Sequence, residues 1–469
     1  MKHILDNKAY SNKSLLMMTT KDGRASETFQ FVTAIVVALL FYGGMEIYWM
    51  TTIGIGVVVY SLVWYIESLG RGSAILQIMI VIAAFQWILG PIIAYHWGGE
   101  TLKYRMYVNE EEYMDFAVPA VMALLIGVRL IPAKVNLNSI VSFMRSGELR
   151  DRYIYLLILI GWSADILVSS MPASLLFVGY ILSQFKYIGL LYLIVSEHRH
   201  RWIFTIAIFL LSLITSAEEG LFHGLILWSA LIFSYICVAV NITRVQKLFV
   251  LSVGMLILVS LQVVKSDYRQ LIASGIPLGE TKVSILIDLV LGSSVQVSTG
   301  ESETDIGSLN ARMNQGWIIS AVMKKMKRDE NYLEGETIIS ALQDSLLPRF
   351  IIDKRVVRVS DNFEKFTGLV VGKNTSMGIS ILGEAYVNFA DFGGVIFMLF
   401  WGIFISLIMK IIVDFSNSFP TLVLWIPLIF LQMVKAETEL VVVLNHGVKT
   451  TIAILLFFWT AKKVLGWRI

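Results

Sequence analysis

The run with the most chemical promise is Gly383-Glu-Ala-Tyr-Val-Asn-Phe-Ala-Asp-Phe-Gly-Gly394, which leads directly into a long apolar segment. On a helix, Glu384 and Asn388 are four apart and share a face, while Tyr386 points elsewhere. An acidic side chain at the edge of a bilayer is a costly placement that marks a task, and a partly buried carboxylate there suits a general base. The alternative is an interfacial belt of Tyr386, Phe389 and Phe392 with Glu384 in water. A second cluster lies at Leu347-Pro-Arg-Phe-Ile-Ile-Asp-Lys-Arg-Val-Val-Arg358, where Arg349, Lys354, Arg355 and Arg358 fall close together. Such forks and ammonium groups bind phosphate oxygens; a solvated face or contact with lipid headgroups is the alternative. Arg312 and Asn314 open a helix-like run, as a ligand pair or as a surface arginine beside an amide cap. Glu437, Glu439, His446 and Lys449 gather at a further turn, where they close over a site or merely bound the loop.

Several chemistries are missing. No Walker A sequence occurs: Gly368 to Lys373 has the wrong spacing and ends in Asn374. There is no Asp-x-Asp, no HExxH and no GxSxG. The six histidines show no metal-ligand spacing beyond His198 and His200, and a single cysteine, Cys237, leaves no intramolecular disulfide to form. The expectation is a chain with no metal and no cofactor.

These residues must be positioned by a membrane bundle. Of the 469 residues, 56% are hydrophobic and only 16% charged, against about a quarter charged in soluble domains. That excludes an ordinary soluble enzyme, and it excludes disorder. The net charge of +3 is too small to argue for nucleic acid. Apolar runs of spanning length predict an all-α polytopic protein with about twelve transmembrane helices, at 29–46, 50–68, 73–95, 115–132, 153–170, 172–195, 201–217, 220–240, 247–264, 391–413, 419–434 and 449–466. The shortest are 201–217 and 419–434.

The basic residues orient this bundle. With the N-terminus inside, eighteen Lys and Arg lie in inner segments and four (Lys103, Arg105, Lys435 and Lys449) in short outer loops. This predicts cytoplasmic N- and C-termini. The implied organisation is a cytoplasmic tail at 1–28, a bundle of about nine spans at 29–264, a large extracytoplasmic loop domain at 265–390, and C-terminal spans with a short cytoplasmic tail at 391–469. The insertion balances fourteen basic against fourteen acidic residues between Lys265 and Lys373. It has an apolar stretch at Val283–Leu291 and a helix-like run from Leu309 to Met326, so it reads as mainly helical and as a place for chemistry. Within the spans, Asp165 and Lys186 lie at similar depth on consecutive helices and are expected to form a structural ion pair. Glu46 and Arg129 sit near span ends, where they can snorkel.

Pro348-Arg349 with Asp353-Lys354, and Gly383-Glu-Ala-Tyr-Val-Asn-Phe389, resemble the "PRF…DK" and "GEAY-x-NF-G" segments of bacterial oligosaccharide repeat-unit polymerases, the O-antigen polymerase (Wzy-like) group. Arg312 at the start of a loop helix is similar too. The resemblance covers about Arg312 to Gly402 and the general plan of many spans with one large outer loop. Arg355 departs from the proline often found there, and Ala390-Asp391 from the usual glycine. The resemblance implies a GT-C-like, metal-independent membrane glycosyltransferase of the bacterial inner membrane. It would join undecaprenyl-diphosphate-linked oligosaccharide units, as donor and acceptor, into a surface polysaccharide at the outer face and release undecaprenyl diphosphate. Glu384 would be catalytic. Arg312, Arg349, Lys354, Arg358, Tyr386, Asn388 and His446 would bind substrate. Membrane lipid, a chain-length-regulating co-polymerase and a flippase would be partners. An O-antigen-ligase-type transferase, a lipid-linked oligosaccharide flippase and an assembly scaffold remain open alternatives.

Overall fold

The computed structural model describes residues 26–44, 47–97, 104–133, 140–141, 143–144, 151–172, 175–219, 222–240, 242–274, 281–290, 314–347, 359–370, 377–464 and 466. Among them there are helices and no sheet. In chain order these are α1 (Ser26–Gly44), α2 (Trp49–Ser68), α3 (Ile75–His96), α4 (Glu110–Leu130), α5 (Arg152–Ser170) and α6 (Leu176–Val195). Then come α7 (Arg201–Glu219), α8 (His223–Ala239), α9 (Arg244–Ser274), α10 (Lys282–Val290), α11 (Gly316–Asp329) and α12 (Glu336–Leu346). The last are α13 (Val359–Thr367), α14 (Ser380–Phe415), α15 (Ile426–Phe430) and α16 (Leu440–Lys463).

Ten helices among the described residues are long and apolar enough to cross a membrane. The two remaining expected spans are shorter. One is α8, 17 residues long. The other departs from a regular helix altogether. In place of a span at 419–434 the chain forms a 3-10 turn at Pro420–Trp425, the five-residue α15, and irregular backbone to Glu439. Pro420 and Pro427 lack an N–H and interrupt a continuous helix. The segment still runs the length of α16: Phe419 meets Phe458 near one end, Leu428 lies beside His446, and Leu440 begins the other. A helix this broken leaves backbone groups that must be satisfied by surrounding protein at this depth. Accordingly, Val423, Leu424, Trp425, Leu428 and Phe430 are buried. Tyr235 of α8 donates to Val423 O at 2.7 Å, and the Trp425 indole donates to the Tyr192 hydroxyl at 3.0 Å.

The densest helix pair is α4 against α14. Gly127 and Gly402 face each other, and Ser406 donates to Val128 O at 2.5 Å. The expected Asp165–Lys186 pair forms between α5 and α6. Arg129 meets the Tyr60 hydroxyl and pairs with Glu27 of α1 at 2.8 Å. Glu46 lies outside the described residues.

The insertion is more helical at its edges than the hydropathy suggested. α9 runs on to Ser274 and α14 starts at Ser380, so spanning helices carry on into both ends of it. The apolar stretch near Val283 is α10, which packs on α9 in a satellite core of Phe222, Tyr268, Ile285 and Leu286. The run ending at Met326 is α11. Just before it, Asn314 Oδ1 accepts the Gly316 N–H at 2.7 Å, a local turn that leads into the helix whose N-cap is Gln315. Beside it, a π-turn at Phe85–Leu89 in α3 frees the Gln86 carbonyl, which accepts from Gln315 N at 3.0 Å.

Candidate functional site: a buried carboxylate pair

α14 is two helices joined at a kink. Ala390 has φ 55° and ψ −154°, a conformation that favours glycine. The kink strips two carbonyls of their helical partners. Leu333 N donates to Val387 O at 3.1 Å and Glu334 N to Asn388 O at 3.0 Å. Asn388 completes this junction: Oδ1 accepts from Gly335 N at 3.1 Å, and Nδ2 donates to Thr337 Oγ1 and to Glu384 O, each at 2.7 Å. One amide hydrogen therefore ties α14 to α12, while the other stays within α14.

The short half of α14 ahead of the kink is buried and carries Glu384, only 4% exposed. Glu384 Oε1 accepts the backbone N–H of Leu440, the first residue of α16, at 3.3 Å. Glu439, just ahead of Leu440 and 1% exposed, does the reverse. Its Oε1 accepts the N–H of Ile379, at the start of α14, at 3.2 Å. Glu384 thus meets the start of α16 and Glu439 the start of α14, where orphan N–H groups and the helix dipole favour negative charge. Asn362 of α13 donates to Glu439 Oε2 at 3.4 Å. Glu384 Oε2 is buried with no hydrogen-bond partner.

Burial pushes the Glu439 carboxyl up from 4.5 to about 7, against the Ile379 N–H and Asn362 amide, which favour the ionised form. Glu437 lies 3.5 Å from His223, and its Oε2 has no partner.

The structure brings together Glu384, Asn388 and Glu439. Tyr386 faces away, packed between Phe116 of α4 and Tyr332, with centroids 5.0 and 6.1 Å distant. His446 lies two turns into α16, where its Nε2–H donates to the Leu428 carbonyl at 2.9 Å. That bond satisfies the broken crossing. Arg312, Arg349, Lys354 and Arg358 lie outside the described residues. The belt reading divides: Tyr386 is core, whereas Phe392 is exposed. Sequence reasoning missed Asn362 and Thr337. For Asn362 the available signal was its place directly after the arginine cluster.

No family model, curated protein or solved structure matches this chain. By helix length and hydropathy it is an all-α, multi-pass membrane protein. The buried carboxylate pair is the candidate site on the face where α14 and α16 begin, called here the insertion face.

Proposed function

We propose that the chain is a membrane-embedded glycosyltransferase that polymerises undecaprenyl-diphosphate-linked oligosaccharide units into a surface polysaccharide. The observation that carries this reading is Glu384: a carboxylate almost wholly buried at the start of a membrane helix, with Oε2 unpartnered. In the proposed step, that oxygen takes the proton of an acceptor sugar hydroxyl as the hydroxyl oxygen bonds to the donor's anomeric carbon. The bond from that carbon to the diphosphate breaks, and its electron pair leaves with undecaprenyl diphosphate. Arg349 and Lys354, with Arg358 and Arg312, are the proposed partners of the leaving diphosphate, where preplaced donors help most as charge develops. The resemblance to the polymerase segments supports the substrate class. The inner-membrane location, the cytoplasmic termini, and partnership with a flippase and a chain-length regulator are parts of the same proposal.

The test is purified protein in lipid with one lipid-linked repeat unit. A ladder of products supports polymerisation, a single new conjugate points to a ligase, and no product removes both. Glu384→Gln keeps size and one hydrogen bond but cannot take the proton, so elongation should fall roughly 10²–10⁴-fold; an unchanged rate would remove Glu384 from the chemistry. A second reading, translocation of the lipid-linked unit, draws on the discontinuous crossing at 420–439, a feature transporters use. It is tested by movement of labelled lipid-linked sugar across the same liposomes without chain growth.

A further inference from the structure

α12 belongs to the hydrophilic insertion, yet its surface divides into three sectors. At about 100° per residue, Ala341 and Ser345 share the side that is buried against the protein. Glu336, Ser340 and Gln343 cluster within about 60° of one another on a second side and are exposed. Ile339, Leu342 and Leu346 occupy a third arc of about 60° between these two. They are exposed too, at 57%, 41% and 63%. A helix standing in water segregates only two faces, buried and polar. A helix lying at the boundary of a bilayer has a third, because one flank meets acyl chains while the next meets water.

We propose that α12 lies in the leaflet on the insertion face, with Ile339, Leu342 and Leu346 among the acyl chains. What fixes the occupant is continuity. α12 packs along α16, and through the Thr337–Asn388 bond it is fastened to α14 at the kink. Both neighbours are candidate membrane spans. Directly past the kink, α14 presents Phe392 and then Phe400, exposed apolar rings on a spanning helix. The stripe on α12 extends that lipid-facing surface onto the insertion. The polar arc of Glu336, Ser340 and Gln343 gives the helix a side to keep in water. The seating does not depend on the proposed chemistry. It does set the level of the carboxylate pair: Asn388 joins Thr337 of α12 to the Glu384 carbonyl, so the leaflet surface runs past the site and a lipid-anchored molecule reaches it from the side.

The experiment places single cysteines at Ile339, Leu342, Leu346, Ser340 and Gln343 of the full chain, with buried Cys237 kept as the unlabelled blank. Each is spin-labelled and reconstituted in phosphatidylcholine–phosphatidylglycerol liposomes. Collision with lipid-soluble oxygen is then compared with collision with a water-soluble nickel complex. Labels at 339, 342 and 346 should favour oxygen several-fold, and labels at 340 and 343 should favour nickel. Equal nickel access at all five positions would put α12 in water and overturn the proposal. Shielding of 339, 342 and 346 from both reagents would overturn it too, by showing a protein partner on the stripe. Neither readout requires catalysis, so failure here is distinct from failure of the enzymatic reading.

Discussion

Glu439 is the residue whose chemistry bears most directly on stability. Its carboxyl titrates near 7 in the folded protein against an ordinary 4.5. Between those values the unfolded chain binds fewer protons than the folded one. Stability therefore falls as pH rises through this window and levels off above it. A shift of this size corresponds to at most ~3 kcal/mol. Glu439→Gln keeps an acceptor for the Ile379 N–H and removes the titration. Its melting temperature should change less than that of the native protein between about pH 5 and pH 8, and parallel curves would show that Glu439 does not titrate there. The sequence made Glu384 legible because an acid ahead of an apolar run is conspicuous. Glu439 stood out less, as one of four polar residues on a turn. The bond that brings them together joins Glu384 to Leu440, 56 residues on, and no local pattern encodes that. Asn388 was legible as sharing a face with Glu384. That its amide would be spent on Thr337 was not, because this depends on a kink the helical pattern does not show.

At the scale of elements, two backbone features are open to test. Ala390 holds a conformation in which a side chain costs about 1–3 kcal/mol. Ala390→Gly should therefore raise stability by about 1 kcal/mol after glycine's own entropy loss, read by denaturant unfolding in detergent; a destabilised variant would mean that the kink does not strain this residue. The same position is where the sequence departs from the glycine of the segment it resembles. In the α4–α14 pair, a Cβ on Gly402 would sit 2.5 Å from Leu124 O and 3.0 Å from Gly127 Cα. Gly402→Ala must push the helices apart and should cost ~1–3 kcal/mol or more, and a melting temperature equal to the native one would show the pair to be looser. Helix existence was legible throughout the bundle, since apolar length alone determines it. The segment at 419–434 was not: its apolar content matches a span, and only its prolines and tertiary hydrogen bonds make it irregular.

For the whole molecule the open quantity is orientation. The eighteen-to-four distribution of basic residues predicts residues 265–390 outside and both termini inside. In a Cys237→Ala background, a cysteine at Ser302 should react with an impermeant thiol reagent in intact cells and one at Ser11 should not. The reverse pattern would invert the molecule. Composition made the membrane class legible. The division into bundle and insertion was legible only coarsely, because α9 and α14 run beyond their apolar cores into the polar region.

The buried, broken crossing between Pro420 and Glu439 also constrains how the chain is built. An isolated segment of this kind cannot enter lipid, because its unpaired carbonyls and N–H groups would have no partners there. Its bonds come from Tyr235 and Tyr192 earlier in the chain and from His446 later. It therefore settles only after α6 and α8 are in place and α16 has been synthesised. Biogenesis of the C-terminal region is thus a concerted event: a nascent chain halted before α16 would leave this segment waiting outside the hydrocarbon, and the carboxylate pair would form as the last helix arrives.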